Sequence, residues 1–351
     1  MSTKRLRIGV AGLGRIGWAF HCKHLADHPD WTLAAVADTE ATRRQEAIDT
    51  YRCEAFADVE AMCAGARLDA VVIATPTHLH EAMVMAALQH RLHILLEKPM
   101  APTYAEAERI VKAAEAAGRV LTVYQPHRLG AYFQHLKAIV NDGRIGRVTM
   151  IQRGAFSYSR RDDWQSLQSF GGGMLNNYGA HYLDQVLQLV GYDLRRVWCT
   201  LQRVASLGNA DDVVRIALET TAGVVADCTI SQASVGKGPY EFIVWGTSGI
   251  VMQAGNEITV RWFDPARLPP KEVNPSLASA DRKYPSEAIA VHEERVAVNA
   301  ALQVDVFANL AQAIRGETAV FVPPRETLAL VKLVAECREN SAGIRTPGAG
   351  G

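Results

Sequence analysis

Two short segments carry residue types that could do proton chemistry. The first is Glu97-Lys98-Pro99, which follows the apolar run His93–Leu96. A lysine at the end of a buried strand is partly desolvated. Desolvation disfavours its charged form, so it could donate or accept a substrate proton. The second segment is Gly171-Gly172-Gly173-Met174-Leu175-Asn176-Asn177-Tyr178-Gly179-Ala180-His181-Tyr182-Leu183-Asp184. Asn177 and His181 stand at i and i+4, with Asp184 three further on, so on a helix they share a face. The other face carries Leu175, Leu183, Val186 and Leu187. One polar stripe on an otherwise apolar helix, behind three glycines, predicts a cleft-facing site. Upstream, Tyr158–Gln165 sets Trp164 beside Arg160, Arg161, Asp162 and Asp163. An aromatic among charges suits a sugar: Trp164 stacks on an apolar ring face while Arg160 hydrogen-bonds hydroxyls. His21 and His24 lack a third ligand, so no metal site is expected.

Such groups need a scaffold. Gly12-Leu13-Gly14-Arg15-Ile16-Gly17 is a GxGxxG that follows an apolar strand and opens a helix. In that context the glycines allow a tight turn, close backbone approach to a pyrophosphate and close helix–sheet packing. The helix N-terminus adds oriented N–H groups for the phosphates. Asp38 ends the next apolar run, 21 residues beyond Gly17. A carboxylate there accepts from ribose hydroxyls and repels a 2′-phosphate, which predicts NAD as cofactor, with NADP disfavoured. Arg43 and Arg44 follow and are read as solvated helix charge. Apolar runs at Arg7–Ala11, Leu33–Ala37, Ala70–Ala74, His93–Leu96 and Val120–Val123 alternate with helical stretches such as Glu81–Gln89 and Tyr104–Ala117. This alternation predicts a doubly wound parallel sheet, an α/β fold over residues 1–125. Thr103 and Glu106 form a capping box, and Gly118 closes that helix. Thr75-Pro76-Thr77-His78-Leu79-His80 and Glu97-Lys98-Pro99 lie at carboxyl ends of strands, where such sheets bind ligands.

From residue 126 to 345 the pattern predicts a second domain. Helices are expected at Phe133–Asn141, Met174–Val190, Ser286–Arg315 and Arg325–Asn340. Strands are expected at Val148–Ser157, Arg196–Ala205, Val213–Glu219, Val224–Ser231, Glu241–Trp245, Ile250–Gln253 and Glu257–Trp262. Strands in series with short turns predict a mostly antiparallel sheet. Pro265–Pro285 reads as a Pro-rich loop and 346–351 as a disordered tail. The length of 351 residues itself suits two domains. With 37 basic and 37 acidic residues the net charge is zero, which argues against nucleic acid or anionic membrane as partner. No apolar run is long enough to span a bilayer. Met1–Arg7 leads into a strand and a Gly-rich turn without a cleavage pattern, unlike a signal peptide. The six cysteines form no CxxC and read as reduced core thiols, hence a cytoplasmic location.

Taken together, GxGxxG, Thr-Pro-x-x-x-His, Glu-Lys-Pro and Gly-Gly-Gly-x-Leu-x-x-x-Gly-x-His-x-x-Asp resemble the glucose–fructose oxidoreductase / inositol dehydrogenase / MocA family over about residues 5–340. The resemblance implies a Rossmann domain, then an α/β domain whose large open sheet forms a homodimer or homotetramer. It implies NAD(P)-dependent oxidation of a hydroxyl on a sugar, cyclitol or related polyol. Lys98 and His181 would be catalytic. Glu97 would contact the nicotinamide ribose. Thr75, Pro76, His80, Gln125 and Arg128 would meet the cofactor, with His127-Arg128 beneath the nicotinamide. Asp184 would bind or support a substrate hydroxyl. Many members carry Asp at the position of Asn177. Asparagine can orient His181 but brings no charge, which makes the histidine a weaker proton acceptor by about one to two pKa units. Lys98 then carries more of the proton transfer. Two other readings stand beside this one: a glycoside hydrolase that recycles bound NAD through transient sugar oxidation, and a non-catalytic NAD(H) sensor.

Overall fold

The computed structural model describes residues 4–273, 275 and 287–346. Six strands form the first sheet: β1 Leu6–Ala11, β2 Trp31–Ala37, β3 Glu54–Phe56, β4 Ala70–Ile73, β5 His93–Glu97 and β6 Leu121–Tyr124. All pair in parallel, in the order β3-β2-β1-β4-β5-β6. The order reverses direction between β1 and β4, which places a ligand crevice at their carboxyl ends. Both faces are covered, so alternate residues of one strand enter different cores. Val71 and Ile73 pack on one side, Ala70 and Val72 on the other. The capping box on Tyr104–Ala116 forms as expected.

Among the described residues the second sheet has nine strands: β7 Val148–Phe156, β8 Leu194–Gln202, β9 Val213–Thr220, β10 Val225–Ser231, β11 Phe242–Gly246, β12 Gly249–Ala254, β13 Glu257–Trp262, β14 His292–Ala297 and β15 Ile344–Arg345. Their order is β14-β13-β12-β11-β7-β10-β9-β8-β15, antiparallel except for β7–β10 and β8–β15. One face is covered by the helices Ala131–Asn141, Ala180–Val190 and Pro324–Asn340, through Phe133, Leu136, Leu183, Val186, Leu330 and Leu333. The other face leaves Met150, Trp198 and Val225 exposed.

One expectation needs correction. The helix expected over Ser286–Arg315 is a strand, β14, followed by a shorter helix, Val306–Ile314. Asp305 starts that helix by accepting from the N–H groups of Phe307 and Ala308. Strand β14 is an edge strand with charges on both faces, so it lacks the alternation that announces a half-buried strand. Its carboxylates pair outward, Glu293 with Arg261 and Arg295, and Glu294 with Arg144. Residues far beyond the expected boundary at 125/126 also reach back to the first sheet. Phe307, Leu310 and Ala311 pack in the core of the first sheet, and the Trp31 indole N–H donates to the Phe307 carbonyl at 2.8 Å. Part of the expected Pro-rich loop, 274 and 276–286, and the tail beyond Thr346 lie outside the described residues.

Candidate active site

The turn after β1 is shaped by close approach. A Cβ on Gly17 would lie 1.8 Å from the Gly12 carbonyl oxygen, so no other residue fits while the helix keeps its place. Arg15 and Ile16 are exposed at the tip, and a Cβ on Gly14 would meet nothing within 4 Å. Asp38 directly follows β2 and tightens this turn. Its Oδ2 accepts from the Leu13 N–H at 2.7 Å and its Oδ1 from the Glu40 N–H at 2.9 Å. Arg43 and Arg44 are not free surface charges. Arg43 lies 3.5 Å from Asp38 Oδ2, and Arg44 donates to the carbonyls of Asp38 and Thr39.

The following helix is wound as a π-helix over Gly17–Cys22 and buries His21. His21 Nε2 meets Glu97 Oε1 at 2.8 Å, while Glu97 Oε2 accepts the Lys98 N–H at 3.1 Å. His21, in sequence only half of an incomplete metal pair, thus anchors the Glu-Lys-Pro turn, whose Lys98–Pro99 peptide is cis. The signal for this role is a histidine on the buried side of the dinucleotide helix, which needs a partner. Thr75 and Pro76 lead into the turn Thr77–Leu79 at the end of β4. His80, expected to line the cofactor, is fully buried instead. Its ring nitrogens lie 3.2 Å from the Met100 carbonyl and 3.0 Å from the Thr75 carbonyl, so it ties the two strand-end loops together.

In the second domain packing demands Gly173 of the triple glycine. Gly173 has φ +106°, and a Cβ there would strike the Asp211 carboxylate. Asp211 in turn accepts the Leu175 N–H at 2.8 Å, fixing the start of the helix. The next turn, Leu175–Gly179, is π-wound, and this changes which residues face each other. Asn177 does not orient His181. Its Oδ1 accepts from Lys98 Nζ at 3.1 Å, its backbone carbonyl from the same Nζ at 3.3 Å, and its Nδ2 donates to Gln165 Oε1 at 3.1 Å. His181 instead lies against His127, ring centroids 4.4 Å apart, and its buried Nδ1 has no partner among the described residues.

Asp184 and Arg128 also take other places than expected. Both are about 1% exposed and pair with each other, with Arg128 Nε donating to Asp184 Oδ2 at 2.8 Å. Arg128 Nη1 reaches Glu326 at 2.5 Å. A doubly bonded buried pair holds helix Ala180–Val190 on the segment after β6. Gln125 is buried beside Met100 and Thr327, its Oε1 without a partner among the described residues. Trp164 is exposed, while Arg160 lines a cleft with Tyr158, Arg203 and Ser206. Among the described residues, Gln165 is the member of that loop hydrogen-bonded to the Lys98–Asn177 pair.

Electrostatics follow from this packing. Burial lowers the Lys98 pKa from the ordinary lysine value, Glu97 opposes and Arg15 adds to the fall. His127 is pushed down to about 4 by burial, Arg153 and Lys98. His181 falls well below the ordinary histidine value through burial, Lys98, His127 and Arg153. A desolvated lysine thus stands beside two neutral imidazoles at the carboxyl end of β5.

Residues 6–125 match the oxidoreductase family with an NAD-binding Rossmann fold, and residues 133–252 match the GFO/IDH/MocA C-terminal domain. The chain belongs to the Gfo/Idh/MocA oxidoreductase family. It is 32% identical over 234 residues to inositol 2-dehydrogenase 1 of Paenarthrobacter aurescens (strain TC1), covering 65% of this chain and 67% of that one. It is 28% identical over 251 residues to a dTDP-3,4-didehydro-2,6-dideoxy-alpha-D-glucose 3-reductase of Streptomyces antibioticus, 71% of this chain and 75% of that one. The WlbA dehydrogenase of Bordetella pertussis, solved with NADH and UDP-GlcNAcA, shares the fold with a TM-score of 0.77 at 23% identity, covering 96% of this chain and 97% of that one. The protein is therefore an NAD-binding oxidoreductase. Its own geometry fits the cofactor: Gly17 lets the Gly-rich turn close on itself, and the Asp38 carboxylate stands beside that turn just after β2.

Proposed function

We propose that this protein oxidises a hydroxyl carbon of a sugar, cyclitol or related polyol, or reduces the matching ketone, with NAD as cofactor. The observation that carries the reading is Lys98: a desolvated amine at a strand end of the dinucleotide crevice, held at 3.1 Å by Asn177 from the second domain. When bound, NAD supplies the hydride acceptor at its nicotinamide ring. Gly12–Gly17 and Asp38 bind and orient it. Lys98 takes the proton from the reacting hydroxyl as the C–H bond breaks, or returns it in the reverse direction. The lowered lysine pKa makes the neutral amine available nearer to physiological pH. His181, neutral and buried, shapes the polar wall without adding charge. Most of the acceleration in such a site comes from alignment of the reacting atoms.

Incubation of the purified protein with NAD+ and a panel of sugars, cyclitols and glycosides tests this, read by absorbance of NADH. NADH should accumulate with at least one free polyol. Cleavage of a glycoside with no net NADH would transfer the protein to the recycling hydrolases. Cofactor binding with neither signal would leave a sensor and end the dehydrogenase reading.

A further inference from the structure

The second domain contains a buried chain of polar side chains that leads to His127. Arg153 lies on β7 at an inward position, 2% exposed, its guanidinium 3.9 Å from the Tyr182 ring centroid and 4.5 Å from that of Phe242. Its Nε donates to Gln185 Oε1 at 3.2 Å. Arginine has no acceptor, so this contact settles the orientation of the Gln185 amide: the oxygen faces Arg153 and the nitrogen faces away. That nitrogen donates to the Tyr132 hydroxyl at 2.6 Å and to the His127 carbonyl at 2.9 Å. The Tyr132 oxygen is thereby an acceptor, and among the described residues its own proton has one hydrogen-bonding destination, His127 Nδ1 at 2.9 Å. A nitrogen that accepts carries no proton. His127 is therefore the tautomer protonated at Nε2. Nε2 makes no hydrogen bond among the described residues and is not buried. The ring lies against His181, in the field of Lys98.

We propose that His127 is a fixed hydrogen-bond donor to the substrate, locked as the neutral Nε2–H tautomer by the chain Arg153–Gln185–Tyr132. This deepens the dehydrogenase reading and rests on it. Lys98 serves the reacting oxygen, and His127 donates to a second oxygen on the same substrate. The preferred substrate class is thus a vicinal diol or its hydroxyketone, and a lone secondary alcohol is a poor one. His127 is substrate-binding. Tyr132, Gln185 and Arg153 are positioning residues that act through it.

Nitrogen-15 NMR of protein labelled at histidine tests the tautomer without turnover, with His127→Gln identifying the relevant signals. His127 Nδ1 should resonate as a bare ring nitrogen and Nε2 as a protonated one, unchanged from pH 8 to pH 6. Tyr132→Phe removes the donor to Nδ1, and the two signals should move toward the tautomeric average. Kinetically, His127→Leu should raise KM by about tenfold, the loss of one hydrogen bond, with a smaller effect on kcat. His127→Gln, which can place an N–H at the same point, should recover most of it. A protonated Nδ1 in the wild type, or Tyr132→Phe without effect on the signals, overturns the lock. An unchanged KM in His127→Leu overturns the substrate contact. Variants are scored only where NAD still binds. If no polyol on the panel is oxidised, the dehydrogenase reading fails and the substrate contact falls with it, whereas the tautomer is decided by the spectra alone.

Discussion

The two walls of the cleft handle charge in opposite ways. On the Rossmann side each buried carboxylate is closed off within the protein: Asp38 accepts two backbone N–H groups, and Glu97 meets His21 and the Lys98 N–H. Facing it, Arg153, His127 and His181 gather by the Lys98 amine, and among the described residues no carboxylate hydrogen-bonds to any of these four side chains. Asp184, the buried carboxylate three residues beyond His181, is taken by Arg128. Paired charges make a rigid cradle for a cofactor of fixed shape. Unpaired cationic and neutral groups at low dielectric hold a lysine ready to lose its proton. On the proposed function, one wall binds the same molecule every cycle and the other exchanges a proton with a changing one.

The strongest test of this division removes the group at its centre. Lys98→Met should lower kcat by about a hundred- to ten-thousandfold, the usual loss for a positioned acid–base. NAD binding should persist, because the cradle of Gly12–Gly17 and Asp38 does not use the lysine side chain. Activity within threefold of wild type, measured at saturating polyol, would break the assignment.

The same division separates what is legible in the sequence from what is not. Gly17, Asp38 and Lys98 answer to requirements of the local chain: a carbonyl 1.8 Å from a would-be Cβ, a strand end, a buried strand's last turn. Such requirements leave marks within a few residues. The network around His127 joins residues 153, 185 and 132, each on a different element, so no window contains it. Arg153 leaves one trace, a charge at the inward position between Ile151 and Ala155 of an otherwise apolar strand face. The spacing of Asn177 and His181 makes them neighbours only on an α-helix. The π-turn at Leu175–Gly179 rotates Asn177 toward Lys98 instead. Strand β14 is hidden by its edge position, where charges on both faces erase the period of two.

Asn177→Asp converts the uncharged wall into one like its neighbour and so sharpens the comparison. A carboxylate at the Asn177 position would stand where Oδ1 now accepts from Lys98 Nζ at 3.1 Å. An opposite charge at that distance stabilises the ammonium form and raises the lysine pKa by about one unit or more. Oxidation needs the neutral amine, so the acidic limb of the pH–rate profile should move to higher pH by the same amount, and the rate below the limb should fall about tenfold per unit. His181→Gln should leave that shift in place. A limb that stays put in Asn177→Asp, in protein that still binds NAD, would mean that Lys98 is not the titrating group. A shift abolished by His181→Gln would hand the titration to His181.

The smallest effect belongs to the closed wall. On the proposed reading Asp38 favours NAD, because a carboxylate at the end of β2 would accept from ribose hydroxyls and repel a 2′-phosphate. Replacing it with serine removes the repulsion and frees Arg43, now 3.5 Å from Asp38 Oδ2, to meet a phosphate. Arg44 offers less, since its Nη1 is bonded to the carbonyls of Asp38 and Thr39. Yet Asp38 also braces the Gly-rich turn through the Leu13 N–H at 2.7 Å, and serine is too short to keep both of its backbone contacts. Both cofactors should therefore lose some affinity while the gap between them closes, by roughly tenfold in the ratio of kcat/KM values, about the worth of one charge-assisted contact. Titration of each dinucleotide by quenching of protein fluorescence separates the two contributions: a common loss measures the brace, and the change in ratio measures the charge. A wild-type protein that already prefers NADP by tenfold would show that Arg43 outweighs Asp38, and the ribose role of the carboxylate would be lost with it.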